Sequence, residues 1–450
     1  MVLVLTMVVL QSISFANYAL TTKTTNIIYG SAPYLTFDGG RTRVTNTEAL
    51  LGISLSDGRT FTPTTNNSER NPIVLPVVGQ SFNDIGMLVP RNTNSIALSS
   101  LIGTPYNYWG DDDGDGQGVN GVTATGSLNV SIVDKNNQAV TRNEVLTICK
   151  APYKLTLSND GGRLTTRYGV PNESRFNAGN ATYYINPNIS SPAICYARPN
   201  LVSSKGLSAA VWESGKGFLP QSVTPSSYGL NFPTTGANNL YFDLDISGVS
   251  QALSWAPVSL GGITATMTDS TSTSVRVTLT GPAFLSNTGE IDKPSLPQVF
   301  ELVGRDSSGN AVLKYGFVLK QWFVYLGRIA EWAYSESRCS RIGYRLVKVK
   351  DLTNSVCQGA GSDRYCRSAV GARPSSPDAY LRRHIGAGFF TEWGEMNGYT
   401  GTNIRNGKYW TNDSVNCDYR ICHFFVGHNG IANLTNNREL NGLCVYPNTY

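Results

Sequence analysis

Short runs in which apolar and polar residues alternate recur along this chain, and they restrict the folds that it can adopt. The run "SLNVSIV" (127–133) places its leucine, valine and isoleucine on one side of an extended strand. The runs "LYFDLDIS" (240–247) and "SVRVTLTG" (274–281) repeat the pattern. Alternation of this kind gives a strand with one packed face and one solvated face, which is typical of antiparallel β-sandwiches.

Turn-forming sequences separate these runs. Examples are "SNDGG" (158–162), "FPTTG" (232–236) and "RDSSGN" (305–310). Glycine supplies 45 of the 450 residues, and charged residues make up only 15% of the chain, against about 25% in an average soluble protein. Many short strands joined by turns predict a mostly β chain, and the length predicts more than one domain.

The pattern changes after about residue 320, where apolar residues follow a helical spacing. The residues with this spacing are Ile329, Trp332 and Ala333 in one run, and Val349, Leu352 and Val356 in the next. Two short helices in an otherwise β-rich chain predict a separate α+β module at the C-terminal end.

The first sixteen residues have the features of an export signal. The apolar run "VLVLTMVVL" (2–10) is followed by Ser14 and Ala16, the small residues expected before a cleavage site. We therefore expect an exported protein that is either at the cell surface, associated with the outer membrane, or secreted.

The cysteine content agrees with export, because an even number of cysteines in an oxidising compartment is expected to form disulfides. The eight candidates are Cys149, Cys195, Cys339, Cys357, Cys366, Cys417, Cys422 and Cys444. None of them has the spacing of a zinc site. Their pairing cannot be deduced from spacing alone, although Cys417 and Cys422 are close enough to close a small loop.

An aspartate cluster stands out in a chain with so little charge. The segment "WGDDDGDGQG" (109–118) offers Asp111, Asp113, Asp115 and Gln117 as ligands of a structural calcium ion, since alternating carboxylates can converge on one hard cation. A complete EF-hand is excluded, because Val122 occupies the position of its bidentate glutamate. A structural calcium site and a solvated turn both remain open.

No catalytic motif appears in the sequence, and we do not expect an enzyme. The chain has no HExxH, G-x-S-x-G, P-loop or dinucleotide-binding pattern. Glu392 and Glu395 flank Trp393 and leave a secreted carbohydrate-active enzyme as a minor alternative. The net charge of +5 is spread along the chain without a basic stripe, so nucleic acid is not an expected partner.

Several segments resemble the enterobacterial invasin/intimin-like surface adhesins. The segments "GYRLVKVKDLTN" (343–354), "RRHIGAGFFTEWGEMNGY" (382–399), "YWTND" (409–413) and "CVYP" (444–447) look like their closing domain, and "NFPTTGANNLYFDLDISGVSQALSW" (231–255) is similar to their adhesion modules. The resemblance implies a mostly β fold, with Ig-like β-sandwich modules followed by a C-terminal α+β C-type-lectin-like domain. It also implies a bridge between Cys339 and Cys444.

The export signal, the change of pattern near residue 320 and the resemblance together set the expected domain limits. They are a signal peptide at 1–16, an N-terminal β-sandwich module at 17–148, Ig-like adhesion modules at 149–320 and a C-type-lectin-like tip at 321–450. Sugar-binding lectins of this type carry Glu-Pro-Asn or Gln-Pro-Asp at their calcium site, and neither tripeptide occurs in this sequence.

Aromatic residues gather between 390 and 430, where the resemblance places a long surface loop that makes contact with a partner. The candidate contact face consists of Tyr399, Tyr409, Trp410, Tyr419, Arg420 and His423. Tyrosine and tryptophan provide rigid contact area at a low entropic cost, which suits a binding surface.

We therefore expect an adhesin that binds a host cell-surface protein or glycan through its C-terminal domain. A bacterial outer-membrane component is expected to anchor the chain if it is not released. The alternative from another class is a structural module of a bacterial surface assembly that has no host-binding activity.

Overall fold

A computed structural model describes residues 29–116, 121–189, 191–202, 205–284, 290–417, 420–435 and 437–447. The expected signal peptide, the candidate ligand Gln117 and the candidate contact residue Tyr419 lie outside these ranges. The chain forms two compact units, residues 1–188 and 189–450. Every helix in the described ranges is too short to span a membrane.

The first unit contains twelve strands among its described residues. They are β1 (Tyr34–Leu35), β2 (Ile53–Ser54), β3 (Thr60–Phe61), β4 (Ile73–Val78), β5 (Ser95–Ala97), β6 (Trp109–Gly110), β7 (Val122–Thr125), β8 (Ser127–Val133), β9 (Tyr153–Asn159), β10 (Gly162–Thr166), β11 (Glu173–Phe176) and β12 (Gly179–Asn188). The helices are α1 (Leu98–Ile102) and short 3-10 turns at Thr47–Leu50, Phe82–Asp84 and Ile148–Lys150.

A five-stranded sheet in the order β4-β12-β9-β8-β5 forms the centre of this unit. Its pairs are antiparallel except for β4 with β12. The inward residues alternate with solvated ones, and the aromatic rings of Phe82, Tyr153 and Tyr183 are fully buried in the core. A three-stranded sheet, β11-β10-β7, and the short pairs β1-β6 and β2-β3 complete the unit.

The second unit contains the remaining strands and three α-helices of the described chain. The strands are β13 (Ala193–Arg198), β14 (Trp212–Glu213), β15 (Gly217–Phe218), β16 (Thr235–Ala237), β17 (Leu240–Ser247), β18 (Ser254–Trp255), β19 (Val258–Leu260), β20 (Ile263–Thr268), β21 (Ser274–Thr280), β22 (Gln298–Arg305), β23 (Ala311–Leu319), β24 (Gln321–Ala330), β25 (Arg345–Leu346), β26 (Lys408–Cys417), β27 (Arg420–Gly427), β28 (Ala432–Leu434) and β29 (Leu440–Tyr446). The helices are α2 (Trp332–Arg341), α3 (Val349–Leu352) and α4 (Phe389–Trp393), with 3-10 turns at Pro225–Leu230 and Met396–Gly398.

A β-sandwich occupies the first part of this unit. One layer has the strand order β14-β15-β13-β17-β21-β20-β19, and the other is β18-β22-β23. Strand β17 alternates strictly between buried and half-buried residues, as its sequence predicts. The ring of Phe242 on β17 lies 6.1 Å from that of Phe317 on β23, so aromatic residues of both layers fill the interior.

The C-terminal part is an α+β structure built on the sheet β16-β24-β29-β26-β27-β28, with β25 paired to β29. Helix α2 packs against β29, and a disulfide between Cys339 on α2 and Cys444 on β29 joins them. Cys357 pairs with Cys366, and Cys417 with Cys422. Cys149 and Cys195 are also disulfide-bonded.

The predicted fold class is confirmed, since the chain is mostly β, with a sandwich followed by an α+β domain. Two predicted limits are corrected. The first unit ends at residue 188 and not at 148, because strands β9 and β12 complete its central sheet. No break occurs at residue 320, because β16 pairs with β24 and one continuous core crosses this position.

Two helical predictions also change. Ile329 lies in strand β24, so the first helix begins at Trp332, and the second helix ends at Leu352, before Val356. Helical spacing of a few apolar residues did not distinguish a strand end from the helix that follows it.

Candidate functional site

A disulfide-closed hairpin projects from the C-terminal sheet. Strands β26 and β27 pair up to Cys417 and Arg420, and the bridge between Cys417 and Cys422 ties the two strands together near the turn. Residues near the sheet, such as Tyr409 and Phe424, are buried, whereas residues toward the turn are exposed or half-buried. The hairpin therefore has a packed base and an exposed end of restricted shape.

One face of the exposed end stacks on helix α2. The imidazole of His423 and the indole of Trp332 are parallel to within 15°, with ring centroids 3.6 Å apart. The indole N–H of Trp332 donates to the Thr411 carbonyl at 3.0 Å, which fixes the orientation of the ring. The stack connects the hairpin to the first residue of α2 and leaves both rings half-buried.

Partial burial of the His423 ring favours its uncharged form. Burial lowers the pKa of His423 below its usual value of 6.5, and its Nδ1 atom is buried without a hydrogen-bond partner. An uncharged imidazole on an indole gives a flat aromatic surface at this edge of the domain.

Ile421 extends this surface into solvent. It is two residues from His423 on β27, so both side chains lie on the same face of the hairpin. The side chain is 65% exposed, although isoleucine is normally buried. Arg420, also exposed, adds a guanidinium at the turn. We call Trp332, Arg420, Ile421 and His423 the hairpin-tip surface.

Three predicted contact residues belong to the core instead. Tyr399, Tyr409 and Trp410 are almost completely buried. The Tyr399 hydroxyl donates to the Trp393 carbonyl at 2.7 Å, and the Trp410 indole donates to the Ala330 carbonyl at 2.9 Å. Their polar atoms are satisfied inside the domain, so the predicted contact face is corrected at these positions. Arg420 is exposed, and His423 is half-buried.

The two glutamates considered for catalysis have structural environments. Glu392 is fully buried, and burial raises the pKa of its carboxyl group. The carboxylate accepts hydrogen bonds from the backbone N–H groups and hydroxyls of Thr234 and Thr235 and from the Gly386 N–H. Glu395 is half-buried and accepts from Asn406 at 3.2 Å. Glu392 thus links α4 to the start of β16 and has no free oxygen facing a substrate.

A cavity of about 580 Å³ lies beside Glu392 in the second unit. The lining includes Lys320, Lys350 and Arg373, with Asp351 as an acidic member. The Asp351 carboxylate is already engaged by Arg345 and by the Lys348 N–H at 2.6 Å. The cavity is therefore a solvated, mainly basic recess that borders the Glu392 anchor.

The last residue of the "YWTND" segment also has a structural role. Burial raises the pKa of Asp413, and its carboxylate accepts from the Val349 N–H at 2.6 Å, at the first residue of α3. Asp413 therefore holds the β26 strand to that short helix.

The aspartate cluster lies in the first unit. Asp111, Asp113 and Asp115 each offer a carboxylate oxygen, and these oxygens lie within 4.8 Å of one another. The structure thus brings together the three described members of the predicted calcium set.

Comparison with known proteins gives weak structural similarity. No protein-family model matches, and no curated protein sequence does. The chain is similar to intimin in an intimin–Tir90 complex, with a TM-score of 0.31 and 14% identity over 57% of this chain and 98% of that one. An EHEC O157:H7 intimin mutant gives a TM-score of 0.30 and 13% identity over 57% and 98%.

A further similar structure is the C-terminal 282-residue fragment of intimin in complex with the intimin-binding domain of the translocated intimin receptor. Its TM-score is 0.30 and its identity is 11%, over 74% of this chain and 94% of that one.

Two members of the hairpin-tip surface were not predicted from the sequence as contact residues. Trp332 was assigned only to a helix, and Ile421 was not singled out. The alternation in "RICHFF" (420–425) carries the signal, since it places Ile421 and His423 on one face.

Proposed function

We propose that this chain is an exported adhesin whose second unit binds a host cell-surface protein through the hairpin-tip surface. The observation that carries the proposal is the exposed apolar side chain of Ile421, next to the Trp332–His423 stack on a disulfide-closed hairpin. An exposed apolar side chain beside stacked aromatic rings has the composition of a protein-binding hot spot.

Rigidity supports the same function. The disulfide between Cys417 and Cys422 and the aromatic stack hold the hairpin end in one shape before a partner arrives. Less conformational entropy is then lost on binding, so a small surface suffices for a specific complex. A protein partner fits the surface better than a glycan, since Ile421 and the stacked rings offer few hydrogen-bonding groups.

The proposal is tested by binding of the purified full chain to host cells and to a glycan array. Wild type is compared with Ile421→Asp, which places a charge at the centre of the surface. Val223→Asp is the matched control, since Val223 is 82% exposed in the same unit but belongs to another segment. We expect Ile421→Asp to weaken cell binding at least about 30-fold, the loss of a hot-spot residue, and Val223→Asp to bind like wild type.

Equal binding by Ile421→Asp and wild type would remove the hairpin-tip surface from the proposal. Absence of cell binding by wild type would favour the structural module of a surface assembly. Binding to glycans alone would replace the protein partner with a carbohydrate.

A further inference from the structure

Three segments of the first unit converge at the aspartate cluster, although they are distant in sequence. The backbone of Tyr29 pairs with that of Val170, and the Gly30 N–H donates to the Val170 carbonyl at 3.1 Å. The Ser31 N–H donates to the Asp113 carboxylate at 2.6 Å. Residues 29–31, 111–116 and 166–170 thus form one site within this unit.

Buried oxygen atoms without partners are concentrated here. Asp115 is only 5% exposed, and neither of its carboxylate oxygens has a hydrogen-bond partner. Oδ1 of Asp111 and the hydroxyl of Ser31 are likewise buried and unpartnered. Among the described residues, Asp111 and Asp115 are the only ones with unpartnered buried carboxylate oxygens. Such oxygens are costly unless a cation or a donor satisfies them.

The neighbouring aspartate shows the contrast. Asp112 is exposed, forms an ion pair with Arg43 and accepts from the Tyr34 hydroxyl at 2.9 Å. No ion pair to Asp111, Asp113 or Asp115 is found in the described part of the chain. One carboxylate of the cluster therefore has its own cation, whereas the other three face one another.

Two glycines leave room for these carboxylates. A Cβ atom on Gly30 would overlap the Asp113 carboxylate, and a Cβ atom on Gly169, where φ is +100°, would overlap that of Asp115. The main chain therefore approaches the carboxylates more closely than any other residue type allows. The backbone therefore encloses the buried Asp115 carboxylate, whereas Asp111 is half-buried and Asp113 lies at the exposed edge of the cluster.

We propose that Asp111, Asp113 and Asp115, together with the Ser31 hydroxyl, bind a Ca²⁺ ion in the first unit. The ligands are all hard oxygen donors, and neither histidine nor cysteine contributes, which favours Ca²⁺ over transition metals. Calcium takes about six to eight oxygens in flexible geometry, so water and main-chain carbonyls complete the shell. The ion would fasten residues 29–31 to the 111–116 loop, and the proposal is independent of the adhesin function.

The test is calorimetric titration of Ca²⁺ into the full chain after removal of metal with EDTA. We expect one site per chain and a rise of roughly 5–10 °C in the unfolding midpoint of the first unit when calcium exceeds its Kd about 100-fold. Scanning calorimetry with EDTA and with calcium measures this shift. No heat of binding and no shift in wild type would overturn the proposal.

Two variants with the same charge change locate the ion. Asp115→Asn removes a proposed ligand and should weaken Ca²⁺ binding at least about 100-fold. Asp112→Asn removes the paired aspartate and should weaken binding less than about 5-fold, through a screened charge. Equal losses in the two variants would contradict the site. Magnesium bound as tightly as calcium would contradict the choice of ion.

Discussion

Replacement of Glu392 gives the sharpest test of how the second unit is held together. The carboxylate is the acceptor for three backbone N–H groups, those of Thr234, Thr235 and Gly386, at 2.8–3.1 Å. In Glu392→Ala all three lose their acceptor, and each buried donor left unsatisfied costs about 1–3 kcal/mol. Thr234, Thr235 and Gly386 line the neighbouring cavity, so removal of the Glu392 side chain would open a route for water to these groups. We therefore expect the low end of this range for each of the three donors, which lowers the free energy of unfolding by about 3–4 kcal/mol in total.

Glu392→Gln separates hydrogen bonding from shape. Each carboxylate oxygen accepts from one hydroxyl and at least one backbone N–H. The NH2 group of glutamine at either position would therefore face a backbone N–H whose direction is fixed. One backbone N–H then loses its acceptor, at about 1–2 kcal/mol. Glu395→Gln is the control, because Glu395 accepts a single side-chain bond in the described structure, and we expect a loss below about 1 kcal/mol.

Urea unfolding followed by tryptophan fluorescence measures these losses. Six of the seven tryptophans lie in the second unit, and Trp109 alone lies in the first, so the signal reports mainly on the second unit. The expected order of midpoints is wild type, then Glu392→Gln, then Glu392→Ala. A Glu392→Ala midpoint equal to that of wild type would refute the anchoring role. A Glu392→Gln variant more stable than wild type would show that the cost of burying the charge exceeds its hydrogen bonds.

Two further predictions concern the hairpin and the bridges. Burial lowers the pKa of His423, so the unfolded state binds the proton more tightly, and the stability of the fold should fall as pH drops through about 6.5. The unfolding midpoints at pH 7.5 and 5.5 should therefore differ less in His423→Phe than in wild type. An equal difference in the two proteins would contradict this prediction. Replacing Cys339 and Cys444, which are 105 residues apart, with serine should lower the free energy of unfolding by about 4.7 kcal/mol. The same change at Cys417 and Cys422, which are five residues apart, should lower it by about 2 kcal/mol. Urea unfolding measures both losses, and the reverse order would exclude loop entropy as the cause.

Local patterns in the sequence predicted local structure well. The alternating runs at 127–133 and 240–247 are strands β8 and β17 with the same limits, because a period of two is visible within a few residues. The domain limit at 148 failed because it depends on distant pairing. Strand β12 joins the first unit by pairing Ile185 with Ile73, and the sequence around either residue contains no signal for this pairing.

At the two candidate sites, residue type alone does not predict whether a side chain is part of a binding site or of the core. A tyrosine suits a contact surface and a core equally well, and Tyr409 is buried because the core of the C-terminal domain surrounds its ring. At the aspartate cluster, spacing selected the three carboxylates, but whether they form a solvated turn or an enclosed site depends on Ser31 and Gly169. Ser31 lies 84 positions before Asp115 and Gly169 lies 54 positions after it, and both come close to the cluster only in the folded unit. The buried and unpartnered carboxylate of Asp115, beside two further carboxylates, favours a bound cation, and the calcium titration measures that binding.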